Sequence, residues 1–137
     1  MRLVALHSLS ALIVAVVVGN AILAGWAFAA TRRRERLLSR GFWTLLLVVL
    51  VLLAIQVAAG IVLAAGGAQP RTSLHFLYGI LVTMGGIAQF GLRPGGFLRS
   101  IVLPHSARSR EARTLALLCL TQAALLFRAY TTGALGR

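Results

Sequence analysis

The chain has 137 residues, of which 59% are hydrophobic and only 12% are charged. A soluble domain of this size could not bury so many apolar side chains, so the composition excludes an ordinary soluble protein. The formal net charge of +12 could suggest nucleic-acid binding, but every basic residue is an arginine, and the arginines lie between apolar segments. There they can meet anionic lipid headgroups, so we expect a lipid bilayer and no nucleic acid as their partner.

Four apolar segments follow one another along the chain, each long enough for the roughly 20 residues that a membrane-spanning helix needs. Basic connections at 31–41 and 93–111 follow the first and third segments. This order predicts an all-α integral membrane protein, a four-helix up-down bundle in a single domain covering 1–137. The predicted helices are 3–30, 42–65, 73–92 and 112–130.

The first segment has a competing interpretation, because Phe28-Ala29-Ala30 could resemble the small-residue cleavage site of a signal peptide. Its apolar run is longer than that of a signal peptide, and its positive charges follow the run instead of preceding it. We therefore predict that this segment is a retained helix of the bundle.

The distribution of arginines predicts the orientation of the bundle. The connections 31–41 and 93–111 are rich in arginine, whereas the connection between the second and third helices holds only Arg71. Cytoplasmic loops of membrane proteins carry the excess of positive charge. We therefore predict a multi-pass protein of the inner (plasma) membrane with both termini outside, on the periplasmic side.

Each apolar segment brings a polar side chain into the outer half of the predicted bundle. His7 opens the first helix and His75 opens the third, and these two helices run in the same direction, so both imidazoles lie at a similar depth. Tyr78 lies one turn below His75. Gln56 and Gln122 lie about 12–14 Å from the outer ends of the second and fourth helices, and we predict that both, with Tyr78, contact a bound cofactor. Polar groups in hydrocarbon are costly and usually face the bundle interior.

Two imidazoles at one level of a four-helix bundle can hold a haem iron between them. In an up-down bundle the first and third helices are diagonal, roughly 11–14 Å apart, which is about the gap that a haem with two axial imidazoles bridges. We predict His7 and His75 as the iron ligands of a b-type haem, with Arg71 or Arg128 pairing with its propionates. Gly79 would leave clearance for the macrocycle beside its ligand.

Two other functions use the same residues and remain open. A quinone-binding subunit would bond a quinone carbonyl to a histidine or glutamine, with Tyr78 or Phe76 packed on the ring. A non-catalytic accessory subunit of a larger membrane complex would use the histidines as interfacial contacts. Its arginine-rich connections would hold lipid or other membrane subunits.

Some chemistries are excluded by the residues that the apolar segments lack. The four segments contain no Asp or Glu, so neither a carboxylate pair nor a Ser-His-Asp set can form in them. This argues against a stand-alone enzyme. Cys119 is the only cysteine, which excludes an internal disulfide and is typical of a small apolar core residue.

A resemblance to known proteins rests on three short features. Leu6-His7-Ser8 opens the first helix, Gln56 precedes Gly60 by one turn in the second, and His75 opens the third. In these features the chain resembles small bacterial four-helix membrane proteins of the cytochrome-b-like type, and distantly one half of haem A synthase. The resemblance implies a haem- or quinone-associated protein of the respiratory chain, acting in electron transfer or as a subunit of a respiratory complex.

Overall fold

The structure is a computed structural model that describes residues 10–33, 37–103 and 110–135. Within these ranges the only regular elements are helices, and a π-helical turn at Thr131–Leu135 ends the described chain. The helices are α1 (Ser10–Arg32), α2 (Arg40–Ala65), α3 (Leu74–Gly91), α4 (Arg99–Val102) and α5 (Glu111–Tyr130).

The predicted all-helical chain is confirmed, and α1, α2, α3 and α5 are long and apolar enough to cross a membrane. The ends of α2, α3 and α5 lie within two residues of the predicted boundaries. α2 begins earlier than predicted because Ser39 caps it, its hydroxyl accepting a hydrogen bond from the Phe42 backbone N–H at 3.4 Å. It ends at Ala65 with Gly66 as its C-cap, and Gly67 then takes a φ of +83°, which favours glycine.

The four long helices pack in chain order around a ring, each against its two sequence neighbours, with α5 closing the ring onto α1. The contact between α1 and α5 is the most extensive of the four, and that between α2 and α3 is the least. α1 and α3 are therefore diagonal, as the up-down topology requires.

The bundle has two chemically different ends. The arginine-rich end comprises Arg32, the start of α2, the end of α3 with α4, and Glu111. The histidine end comprises the end of α2, His75, the end of α5 and the π-helical turn.

The tightest core lies in the half of the bundle nearer the arginine-rich end. Leu23, Phe42, Leu46 and Leu115 are fully buried there and come from three different helices. Towards the histidine end, the last turn of α2 and the first turn of α3 are largely exposed within the chain. The outward faces are apolar along the whole bundle, with exposed residues such as Val51, Ile61, Ile80 and Leu120.

Candidate functional site

The imidazole of His75, in the first turn of α3, is oriented by a hydrogen bond to α5. Its Nδ1 lies 2.8 Å from the carbonyl oxygen of Ala129. A carbonyl can only accept, so Nδ1 is the donor, and in the neutral ring Nε2 then carries the lone pair. The last carbonyls of a helix lack backbone partners within the helix. The carbonyl of Ala129 therefore also accepts a hydrogen bond from the Thr132 hydroxyl, at 3.1 Å.

The π-helical turn after α5 completes the surroundings of this ring. It brings Gly133 so close to His75 that a Cβ at position 133 would stand 2.6 Å from Nδ1. Only glycine fits at that distance. Single π-helical turns occur often at functional sites, where they redirect the groups that follow them.

Tyr78 and Arg128 lie next to the histidine. Arg128, which directly precedes Ala129 in α5, places its guanidinium carbon 5.7 Å from the centre of the Tyr78 ring. An arginine over an aromatic face is attracted by the ring quadrupole. We call His75, Tyr78, Arg128, the Ala129 carbonyl and Gly133 the histidine cluster.

One turn along α3 from His75, a Cβ at Gly79 would meet no atom of the described residues within 4 Å. Gly79 shares the face of His75 because the two are four residues apart. On the neighbouring α2, Gln56 is half-buried and Ala58 is exposed. The histidine end is therefore loosely packed between α2 and α3.

The predicted site residues are only partly brought together. Tyr78 lies one turn from His75 and has Arg128 over its ring, whereas Arg71 is exposed in the connection between α2 and α3. His7 lies outside the described residues, so its role as a second ligand stays a prediction. Within the described ranges, no group of three or more His, Cys, Asp or Glu side chains is placed to hold a metal ion.

Gln122 lies at the predicted depth, but its amide packs α5 against α3. Its Nε2 donates to the Val82 carbonyl at 2.8 Å, and its Oε1 occupies the space that a side chain at Gly85 would need. Val82 is seven residues from His75, about 10 Å along the helix. The amide therefore acts in helix packing, away from the histidine cluster.

A buried amide network, which we did not foresee from the sequence, links three helices nearer the arginine-rich end. The Nε2 of Gln89 donates to Asn20 Oδ1 at 2.8 Å and to Cys119 Sγ at 3.3 Å. Asn20 in turn donates to the Val16 carbonyl at 2.9 Å. The periodicity of a single helix does not show which faces meet across the diagonal, so the contact between Asn20 and Gln89 could not be predicted.

The arginine-rich end is tied together by Glu111. Its carboxylate forms an ion pair with Arg99 and accepts the Leu38 backbone N–H at 3.3 Å. Arg99 also donates to the Leu92 carbonyl at 2.9 Å. Glu111 lies in the first turn of α5, where its charge complements the helix dipole. The structure shows that it also joins the connection before α2 to the segment after α3.

In comparisons with protein-family models, curated proteins and solved structures, nothing matches this chain. Its function must therefore follow from the geometry of its own polar groups.

Proposed function

We propose that the protein spans the inner (plasma) membrane and binds a b-type haem at the histidine cluster, as an electron-transfer protein or a subunit of a respiratory complex. Four helices of spanning length and an apolar exterior support the membrane location. The concentration of arginines supports a cytoplasmic arginine-rich end, and hence a periplasmic histidine cluster.

The hydrogen bond from His75 Nδ1 to the Ala129 carbonyl is the observation that carries the haem proposal. Histidines that ligate metals commonly donate their other ring N–H to a backbone carbonyl, which fixes the tautomer and the ring orientation. The same tautomer is unfavourable for binding a quinone carbonyl, since Nε2 then lacks the proton that such an acceptor requires. The geometry therefore favours haem over quinone.

The surrounding residues fit a macrocycle with acidic substituents. The open space at Gly79 lies beside His75, and Arg128 offers a cation for a propionate. His75 would hold the iron through Nε2, and His7 remains the predicted second ligand. A haem bound in this way supplies one-electron transfer.

The visible spectrum of the purified full chain, expressed with supplied haem, tests this proposal. We expect Soret and α bands in the wild type, their loss in His75→Ala and their retention in His105→Ala. His105 is a matched control because the sequence places it in the basic connection 93–111, outside the predicted helices. His7→Ala should leave haem bound but shift its spectrum from low spin to high spin.

Two outcomes would contradict the proposal. One is a wild-type protein without haem bands that carries a quinone in its organic extract. The other is a His75→Ala protein whose bands are unchanged. To separate loss of the ligand from misfolding, imidazole is added to His75→Gly, where recovery of the bands identifies the ring as the missing ligand.

A further inference from the structure

At the arginine-rich end, a cleft of about 420 Å³ opens between the start of α2 and the segment that joins α3 to α4. It is far from the histidine cluster and plays no part in the proposed haem site. Its lining includes Leu37, Arg40, Trp43, Pro94, Arg99 and Glu111.

The charges in this cleft favour an anion. Arg40 and Arg99 contribute two positive charges and Glu111 one negative charge, which is already neutralised by its ion pair with Arg99. The Arg99 guanidinium has five N–H donors, and its bonds to Leu92 and Glu111 do not exhaust them. Arg40 lies in the first turn of α2, where the helix dipole adds further positive potential.

Beside these charged groups, the cleft has apolar and aromatic walls formed by Leu37, Leu38, Trp43 and Pro94, unlike a site for a small soluble ion. Trp43 is half-buried there, with the Arg99 guanidinium carbon 5.8 Å from its ring centre. Tryptophan is enriched where membrane helices meet the headgroup layer. Beside the cleft, Leu37 is exposed and α4 carries Ile101, which is 75% exposed.

We propose that this cleft binds the headgroup of an anionic phospholipid. Its phosphate contacts Arg40 and Arg99, and its acyl chains lie along the exposed apolar side chains of Leu37 and α4. The cleft lies where helices of spanning length end, which is the depth of the headgroup layer if the bundle crosses the membrane. Bidentate arginine contacts suit phosphate oxygens, and the excess positive charge selects an anionic over a zwitterionic lipid.

Lipid titration of the detergent-purified full chain, followed by native mass spectrometry, tests the proposal. Mass spectrometry compares phosphatidylglycerol with phosphatidylcholine. A separate thermal-shift titration compares phosphatidylglycerol with inorganic phosphate. We expect phosphatidylglycerol to bind best and Arg40→Gln to weaken its binding about tenfold, as expected for the loss of a charge-assisted contact. Arg40 is exposed, so its replacement should leave the fold intact.

Arg113→Gln is the matched control, because Arg113 is an exposed arginine of the same end that does not line the cleft. It should retain the wild-type affinity for phosphatidylglycerol. Equal weakening by both variants would overturn the proposal in favour of general charge attraction. Equal binding of phosphatidylcholine, or an equal thermal shift with inorganic phosphate, would overturn the assignment of an anionic lipid. None of these results depends on haem.

Discussion

Gly133 lies against the imidazole of His75, where a Cβ would stand 2.6 Å from Nδ1 and 2.7 Å from Cε1. The same ring donates a hydrogen bond to the carbonyl of Ala129, which precedes Gly133 by four residues. Both contacts come from the end of α5 and the turn that follows it. The orientation of a histidine on α3 is therefore set by the end of another helix.

Replacement of Gly133 by alanine should displace the His75 ring. The added methyl group overlaps the imidazole, and relief requires movement of the ring or of the π-helical turn, at a cost of about 1–3 kcal/mol. We expect a lower thermal unfolding temperature in detergent and, on the haem proposal, weaker haem binding. Gly25→Ala is the control, because a Cβ there meets nothing within 4 Å. Equal melting temperatures for the two variants would contradict the close contact.

The approach of Gln122 to Gly85 makes a second, independent prediction in the interior. A Cβ at position 85 would overlap Gln122 Oε1, so Gly85→Ala should destabilise the protein by about 1–3 kcal/mol. Gln122→Ala removes the obstructing amide. The double variant should therefore be more stable than the sum of the two single effects predicts, as measured by chemical unfolding in mixed micelles. Simple additivity would show that the two residues do not meet.

Unlike alanine at positions 133 and 85, alanine at position 79 is predicted to stabilise the protein. Because a Cβ there meets none of the described residues within 4 Å, Gly79→Ala should stabilise the haem-free protein by about 0.5–1 kcal/mol through the better helix propensity of alanine. On the haem proposal the same methyl group enters the space beside His75 and should lower the haem affinity, measured by titration of the Soret band. An unchanged affinity would place the macrocycle away from Gly79.

The ion pair between Glu111 and Arg99 should be important for stability at the arginine-rich end. Glu111 is 1% exposed, so Glu111→Gln leaves a partly buried guanidinium without its counter-charge, at a cost of about 2–4 kcal/mol. A double-mutant cycle with Arg99→Gln separates the pair from other effects of each change. We expect a coupling energy of at least about 1 kcal/mol, and a value near zero would show that solvent screens the pair.

The helices could be predicted from the sequence because their signals are local. Segments 42–65 and 73–92 are bounded by arginines, glycines and Pro94, and the observed α2 and α3 end within two residues of them. Similar local signals placed His75 and Tyr78 one turn apart on the same face of α3. Helical periodicity also placed Gly79 on the face of His75, where a Cβ would meet none of the described residues within 4 Å.

The contacts between helices could not be predicted in the same way. Gln122 appeared to belong with the histidines because both lie in the outer half of the bundle, but its amide packs against Val82 and Gly85. Depth along a helix follows from residue number, whereas the direction of a side chain depends on how the neighbouring helix is rotated. Glu111 is similar, since its partners lie 12 and 73 residues away.

By itself, the sequence determined a chain of four apolar helices with arginines gathered at one end, because hydrophobic length and charge placement are properties of each segment alone. Only the tertiary structure decided that α5 orients His75, that Gly133 must lack a side chain, and that Arg128 lies over Tyr78 while Gln122 bonds to Val82. These relationships depend on helix rotation and close approach. Packing of the whole bundle sets both, and no single segment encodes them.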